Sequence, residues 1–356
     1  MNAAQPTRTM LQAFLAAALF GASAPLAKVL LGEIEPILLA ALLYLGSGLG
    51  VALWIGLRQM RARPACREAA IRRGDVGWLA GAVVAGGVAA PIALLFGLRQ
   101  TPAATASLLL NLEGVATAII AAWMFKEAIG SRVGWAVALI TLASVGLTWP
   151  TSGQWGVTVG ALGVVGACVL WGIDNNLTRH IAAKDPLMIV AVKGFVAGGF
   201  SAALGVILRQ PLPTPSAFVA ALLLGSVSYG LSIVLFILAM RDFGAARTSA
   251  VFGLGPFFGA GLSVLLLHER PGGQFFAAIP LMVAGVYLLL TEHHAHEHVH
   301  EPIEHDHAHR HDDGHHLHPH EAGEIPRSGW RSHPHRHEPL RHSHRHAPDL
   351  HHRHAH

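Results

Sequence analysis

Ten stretches of the chain are each apolar for about 20 residues, the length of helix that crosses a bilayer. They run over residues 10–31, 36–57, 77–98, 102–124, 132–149, 158–178, 187–208, 217–239, 244–267 and 273–291. Hydrocarbon offers no partners to backbone N–H and C=O groups, so such stretches must be helices that satisfy themselves. Only 13% of residues are charged, against about 25% in an ordinary soluble domain. The predicted fold is therefore an all-α integral membrane protein with ten transmembrane helices. Arg8 and Ala22-Ser23-Ala24 imitate a signal peptide, but the apolar run continues past Pro25 to Leu31. The expectation is an uncleaved first span. Cys66 and Cys168 are the only cysteines, in no metal-ribbon or CxxC spacing, and are read as free thiols.

Loop charge predicts orientation. With the N-terminus inside, the inner loops hold Arg8, six arginines from Arg58 to Arg73, Lys126, Arg132, Arg179, Lys184, Arg241 and Arg247. The outer ends hold Lys28, Arg99, Arg209 and Arg270. The expected setting is a multi-pass protein of the cell inner membrane with both termini cytoplasmic. The basic pI of about 9.4 reflects these loops and implies no nucleic acid.

The chain repeats internally. Arg99 to Glu127 aligns without a gap with Arg241 to Glu269, at an offset of 142. Upstream, Phe20-Gly21 with Lys28 matches Trp171-Gly172 with Arg179, and Glu35-Pro36 matches Asp185-Pro186. The expected units are 1–149 and 150–291, five helices each, followed by a tail, 292–356. Five is odd, so the halves insert with opposite topology. Inverted repeats are a signature of secondary transporters, whose solute site lies near the midplane between the halves.

Over residues 10–291 the chain resembles the EamA family of the drug/metabolite transporter superfamily. The marks are the two five-helix repeats, the aromatic-Gly pair near the end of each first helix, and the runs Trp123-Met124-Phe125-Lys126-Glu127 and Leu266-Leu267-His268-Glu269. The resemblance implies an exporter of amino acids, metabolites, purines or toxic cations. The family's mid-helix proline corresponds to Pro256; the first repeat has Gly114 there, preceded by Glu113.

Glu113 lies about 16 Å into the fourth segment at 1.5 Å per residue, near the midplane. A carboxylate at that depth costs at least ~2.5 kcal/mol and usually has a functional role. Asn111-Leu112-Glu113-Gly114 and Gly253-Leu254-Gly255-Pro256 occupy paired positions in the repeat, so Glu113, Asn111, Gly114, Gly255 and Pro256 are candidate solute or coupling residues. The competing reading makes Glu113 structural glue. Asp174, Asn175 and Asn176 lie near the inner end of the sixth segment and Lys193 at similar depth in the seventh. An Asp174–Lys193 salt bridge is expected, either a structural pair closing the cytoplasmic side or one with a gating or ligand role. Tyr229 is a weaker candidate, because an aromatic there more often packs. The spacings Gly194-x-x-x-Gly198 and Gly255-x-x-x-Gly259 permit close helix crossing. No P-loop, Rossmann, nucleophile-elbow or His-Glu-x-x-His motif occurs, so no enzyme is expected, and no cofactor for the membrane region.

The tail is different. It carries 23 of the 25 histidines. They alternate at His294, His296, His298, His300, at His305, His307, His309, His311, at His333, His335, His337 and at His342, His344, His346. Two copies sit at an offset of 37. The first is interleaved with Glu297, Glu301, Glu304 and Asp306, the second with Arg336, Arg341 and Arg345. Neutral imidazole binds Ni, Co, Zn or Cu ions. Prolines and the scarcity of apolar residues predict a disordered metal-binding tail; the plainer alternative is a solvated pH-responsive tail.

The functional expectation is export of a divalent transition metal (Ni, Co or Zn), with the tail sensing or capturing it. The first alternative is a small-metabolite or amino-acid exporter whose tail only buffers or senses metal. The second is a non-transporting metal receptor or store, which the inverted repeat disfavours. Expected partners are the lipid bilayer, the small solute or metal ion, and a second copy of the chain as a homodimer.

Overall fold

The computed structural model describes residues 4–60, 70–125, 130–149, 158–181, 184–243 and 251–290, and within the tail 294–300, 304–309, 331–336 and 340–346. Among the described residues, eight helices are long and apolar enough to cross a membrane: α1 (Thr9–Leu30), α2 (Pro36–Arg58), α3 (Arg73–Gln100), α4 (Ala103–Met124), α5 (Ser131–Thr148), α6 (Val159–Arg179), α7 (Pro186–Ile207) and α8 (Pro215–Ala239). Two shorter apolar helices follow, α9 (Gly255–Leu267) and α10 (Gly273–Leu288). Hydropathy alone leads one to expect ten full spans. The ninth is shorter because a turn at Gly253–Leu254 precedes Gly255, and residues 244–250 lie outside the described residues. The large apolar side chains left exposed, such as Trp123, Val206 and Leu265, are what a bilayer would cover.

The packing follows the repeat. Helix α3 lies against α6, as α8 lies against α1. Likewise α4 against α6 mirrors α9 against α1, and α2 against α8 mirrors α7 against α3. The pairs α2–α7, α4–α9 and α5–α10 join a helix to its own repeat mate. Each half therefore lends its first helix to the other.

Two irregularities also repeat. Helix α3 contains a π-helical segment at Val83–Ala89, and α8 one at Gly225–Leu231, at the same offset of 142. In α3, Pro91 lacks the N–H that would bond to Gly87 and crowds that carbonyl, so the widened turn relieves both defects. In α8, the Ser226 hydroxyl lies 2.9 Å from Leu222 O and 2.7 Å from Gly46 O and shares its one proton between them, inserting a side chain into the backbone ladder. Helix α4 breaks at Leu110–Asn111, within a residue of the position matching the Gly253–Leu254 turn.

Both glycine spacings mark close crossings. A Cβ on Gly194 would stand 2.5 Å from Gly48 N, and one on Gly21 would collide with Gly255 O. Neither neighbour can yield, since both are backbone. Gly21→Ala should therefore destabilise the fold by about 1–3 kcal/mol or more, as overpacking does. Gly166→Ala, in open space, should gain up to ~1 kcal/mol from helix propensity. Thermal unfolding of the two variants in detergent checks the contrast; equal midpoints would contradict it.

One end of the bundle is clamped around the α3–α4 turn. The Lys28 ammonium donates to the carbonyls of Leu98, Arg99 (3.2 Å) and Thr101 (3.0 Å), at the end of α3. Glu269 accepts from Ala103 N (2.7 Å) and Ala104 N (2.9 Å), at the start of α4. A cation on a helix C-terminus and an anion on an N-terminus each oppose the local dipole charge. His268 takes the left-handed conformation (φ 53°) that closes α9 and turns the chain so that Glu269 reaches α4. Arg99 pairs with Glu35 at 2.7 Å beside this clamp.

The tail differs from expectation. Its described residues form four strands, β1 (His294–His300), β2 (Glu304–His309), β3 (Arg331–Arg336) and β4 (Leu340–His346). They pair antiparallel as β1–β4 and β2–β3. Alternating residues suit the period of two of a strand. His311 and His337 lie outside the described residues.

Candidate functional site

Glu113 is the second residue of the helix that resumes at Leu112 after the α4 break. Its carboxylate accepts from Asn175 Nδ2 at 3.0 Å. The same Nδ2 donates to Thr117 Oγ1 at 3.1 Å, and Thr117 Oγ1 donates to Glu113 O at 2.8 Å. Next along α6, Asn176 donates to Thr117 O at 3.1 Å and Gly172 O at 2.8 Å. Two adjacent asparagines thus stitch α6 to α4. Asn175 remains exposed, as does Gly114 beside Glu113. Nothing lies within 4 Å of a Cβ built on Gly114. Glu113 itself is half-buried, next to the open space over Gly114, halfway along the bundle.

Beside it lies the expected ion pair. Lys193 Nζ is 2.7 and 2.6 Å from the two Asp174 carboxylate oxygens. Thr178 Oγ1 adds a third donor at 2.9 Å. Asp174 Oδ2 presses on α3 at Gly86, where a Cβ would overlap it, so only glycine admits the carboxylate. Gly86 lies in the π segment, and its carbonyl accepts from Tyr44 OH at 2.6 Å and Trp171 Nε1 at 3.1 Å. Four helices, α2, α3, α6 and α7, meet at this point.

The repeat mates of these groups are not charged. An aromatic wall stands on that side instead. The Tyr229 ring lies 5.7 Å from Tyr44 and 5.9 Å from Phe20, and Phe20 lies 5.1 Å from Phe252. Phe236 joins Phe252 at 4.7 Å. Tyr44 belongs to both walls, through its ring on one side and its hydroxyl on the other.

The structure brings Glu113, Asn175, Asp174 and Lys193 together, with Gly114 at the open edge and Tyr229 across from them. It does not bring Asn111 to this cluster. Asn111 is buried and donates to Leu108 O at 3.0 Å and toward Met282 Sδ at 3.8 Å, so it faces α10. Gly255 packs on the α1 backbone at Ala17 and Gly21, and the adjacent Pro256 starts α9; both serve the crossing. Cys168 is a free, buried thiol, and its sulfur lies 3.6 Å from Leu109 O. Sequence reasoning missed Thr117, Tyr44 and Gly86. The signal for Thr117 was its position four residues after Glu113, on the same helix face. That for Tyr44 was a phenol at mid-span, which needs a partner when buried. In the helical domain, no three described His, Cys, Asp or Glu side chains are gathered to hold a metal ion.

Known proteins share this architecture. A curated relative, an uncharacterized transporter of Methanothermobacter thermautotrophicus, is 28% identical over 288 residues, covering 76% of this chain and 82% of its own length. A solved crystal structure, 22% identical, superposes with a TM-score of 0.58 over 79% of this chain and 95% of that one; at that identity the likeness concerns the fold. The EamA-like transporter family model matches twice, over residues 7–149 and 158–291. Two matched copies fall on the two halves that pack as repeat mates, and on that ground the chain is a member of the EamA-like transporter family.

Proposed function

We propose that the chain is a secondary-active exporter of the inner membrane, moving a small amine-bearing or zwitterionic metabolite outward through ten spans, with both termini in the cytoplasm. The observation that carries this reading is Glu113. It sits at a helix break beside open space, hydrogen-bonded by an exposed asparagine at a depth where polar groups otherwise avoid lipid. In this reading its carboxylate takes the solute's positive group or a coupling proton in turn. Asp174, Lys193 and Asn175 complete the polar wall, and Tyr229 with its aromatic neighbours receives the apolar part of the solute.

Divalent metal as cargo is the weaker reading, for a specific reason. A metal path would need Asp174 as an oxygen ligand alongside Glu113. Asp174 is already neutralised by Lys193, and an ammonium beside the path repels a dication. The histidine tail is then a cytoplasmic binder that senses or buffers metal. Everted vesicles offered labelled amino acids, amines, Ni²⁺ and Zn²⁺ test the assignment. An amine or amino acid should accumulate, with and without residues 292–356. Accumulation of Ni²⁺ or Zn²⁺ alone would make the metal the cargo.

A further inference from the structure

Two independent observations concern the tail. The first is chemical. Its two histidine copies carry opposite charge, the first acidic and the second rich in arginine, so they attract each other. The second is the backbone register, which pairs the first copy with the second. In β1–β4, His294, His296 and His298 stand opposite His346, His344 and His342. In β2–β3, His305 and His307 stand opposite His335 and His333. Successive residues of a strand alternate between its faces. One face of each ladder is therefore populated by histidine positions. At its end that face also takes Arg331, opposite His309, and Leu340, opposite His300; the other face carries most of the charged positions, with Glu304 opposite Arg336 and Glu297 diagonal to Arg341 and Arg345.

Such a ladder is not self-supporting. A two-stranded pair without an apolar face is marginal in water, and β3 contains Pro334, tolerated only because every strand of a two-stranded ladder is an edge. Something else must hold it closed. Residues opposite each other in an antiparallel pair have Cβ atoms about 4.5–5.5 Å apart, and alternate residues along a strand are about 7 Å apart. A His-x-His unit facing another sets four imidazole-bearing positions at the corners of one small patch. That matches the four nitrogen ligands that a tetrahedral Zn²⁺ takes at ~2.0–2.1 Å, and the four in-plane positions of a square-planar Ni²⁺ or Cu²⁺.

We propose that each ladder is a metal site shared between the two copies. His296 and His298 with His342 and His344 form one site; His305 and His307 with His333 and His335 form the other. The ligand class is a borderline divalent ion such as Ni²⁺, Zn²⁺ or Cu²⁺, and binding folds the tail as it fills the sites. This rests on the reading of the tail as a metal binder and adds a fixed register to it.

The test uses the full chain in detergent, with Ni²⁺ titrated by calorimetry at neutral pH. Variants are His296→Ala/His298→Ala, His342→Ala/His344→Ala, all four together, and His351→Ala/His352→Ala as a control outside the paired strands. Each ladder pair should weaken one Ni²⁺ site by more than the ~10–100-fold that loss of a mere supporting contact costs. The fourfold variant should be no worse than either pair, and the control should match the wild type. Losses that accumulate with every histidine removed, the control included, would overturn the shared sites and leave only interchangeable ligands. No difference in Ni²⁺ binding between the full chain and residues 1–291 would overturn the metal-binding tail as well.

Discussion

Lys193→Met should destabilise the folded carrier by about 3–5 kcal/mol, because it strands a buried carboxylate. Asp174 and Lys193 are largely withdrawn from solvent, with 8% and 16% of their side-chain surfaces exposed. Asp174 is also pressed against Gly86, so it cannot swing away to find another counter-charge. Removing both charges, as Asp174→Asn with Lys193→Met, should recover most of the loss, since neutral replacements of a buried pair are often no less stable. Unfolding by denaturing detergent, followed by tryptophan fluorescence, measures the three variants. A double variant as unstable as Lys193→Met would mean that the pair is not the source of the effect. Transport by the stable double variant then separates a structural pair from a gating one: wild-type flux assigns it to structure.

Glu113→Gln should reduce proton-driven solute flux by at least about tenfold while leaving the protein inserted and folded. The amide keeps the side-chain shape and can still accept from Asn175 Nδ2, so the link between α4 and α6 survives. What goes is the negative charge and its exchange of protons. A hydrogen bond to a charged group is worth ~1.5–3 kcal/mol, and about 1.4 kcal/mol is tenfold in a binding constant. Flux in everted vesicles, driven by a pH gradient and normalised to inserted protein, checks this. Wild-type flux through Glu113→Gln would leave Glu113 as a strut between two helices and no more.

The apolar period and the gapless repeat make the spans and their pairing legible in the sequence. The depth of Glu113 and the short link between α6 and α7 do the same for the two polar centres. The partner of Glu113 is not legible there. Asn175 reaches it because each half lends its first helix to the other, and that exchange leaves no trace in local hydropathy. The direction taken by Asn111 escapes for a related reason. A turn at Leu110–Asn111 rotates it off the face that an unbroken helix would give it. The π segments are not legible either, because they run through Gly86 and Gly87 in one case and Gly225 and Gly230 in the other, which carry no side chain to mark the change of phase. In the tail the alternation is plain, but which histidine stands opposite which depends on pairing across long stretches of sequence, beyond the reach of local spacing.

The two π segments have a mechanical consequence. A π turn is one surplus residue stored in a helix, and it can move along by exchanging hydrogen bonds one at a time. Each single step turns the stretch it passes by about 100° relative to the rest. At the far end of α3, Lys28 holds the last carbonyls, and Glu269 anchors the start of α4 just beyond. With that end fixed, a step would swing the Gly86 region beneath Asp174 like the cam of a lock, while the ends of the rod stay where they are.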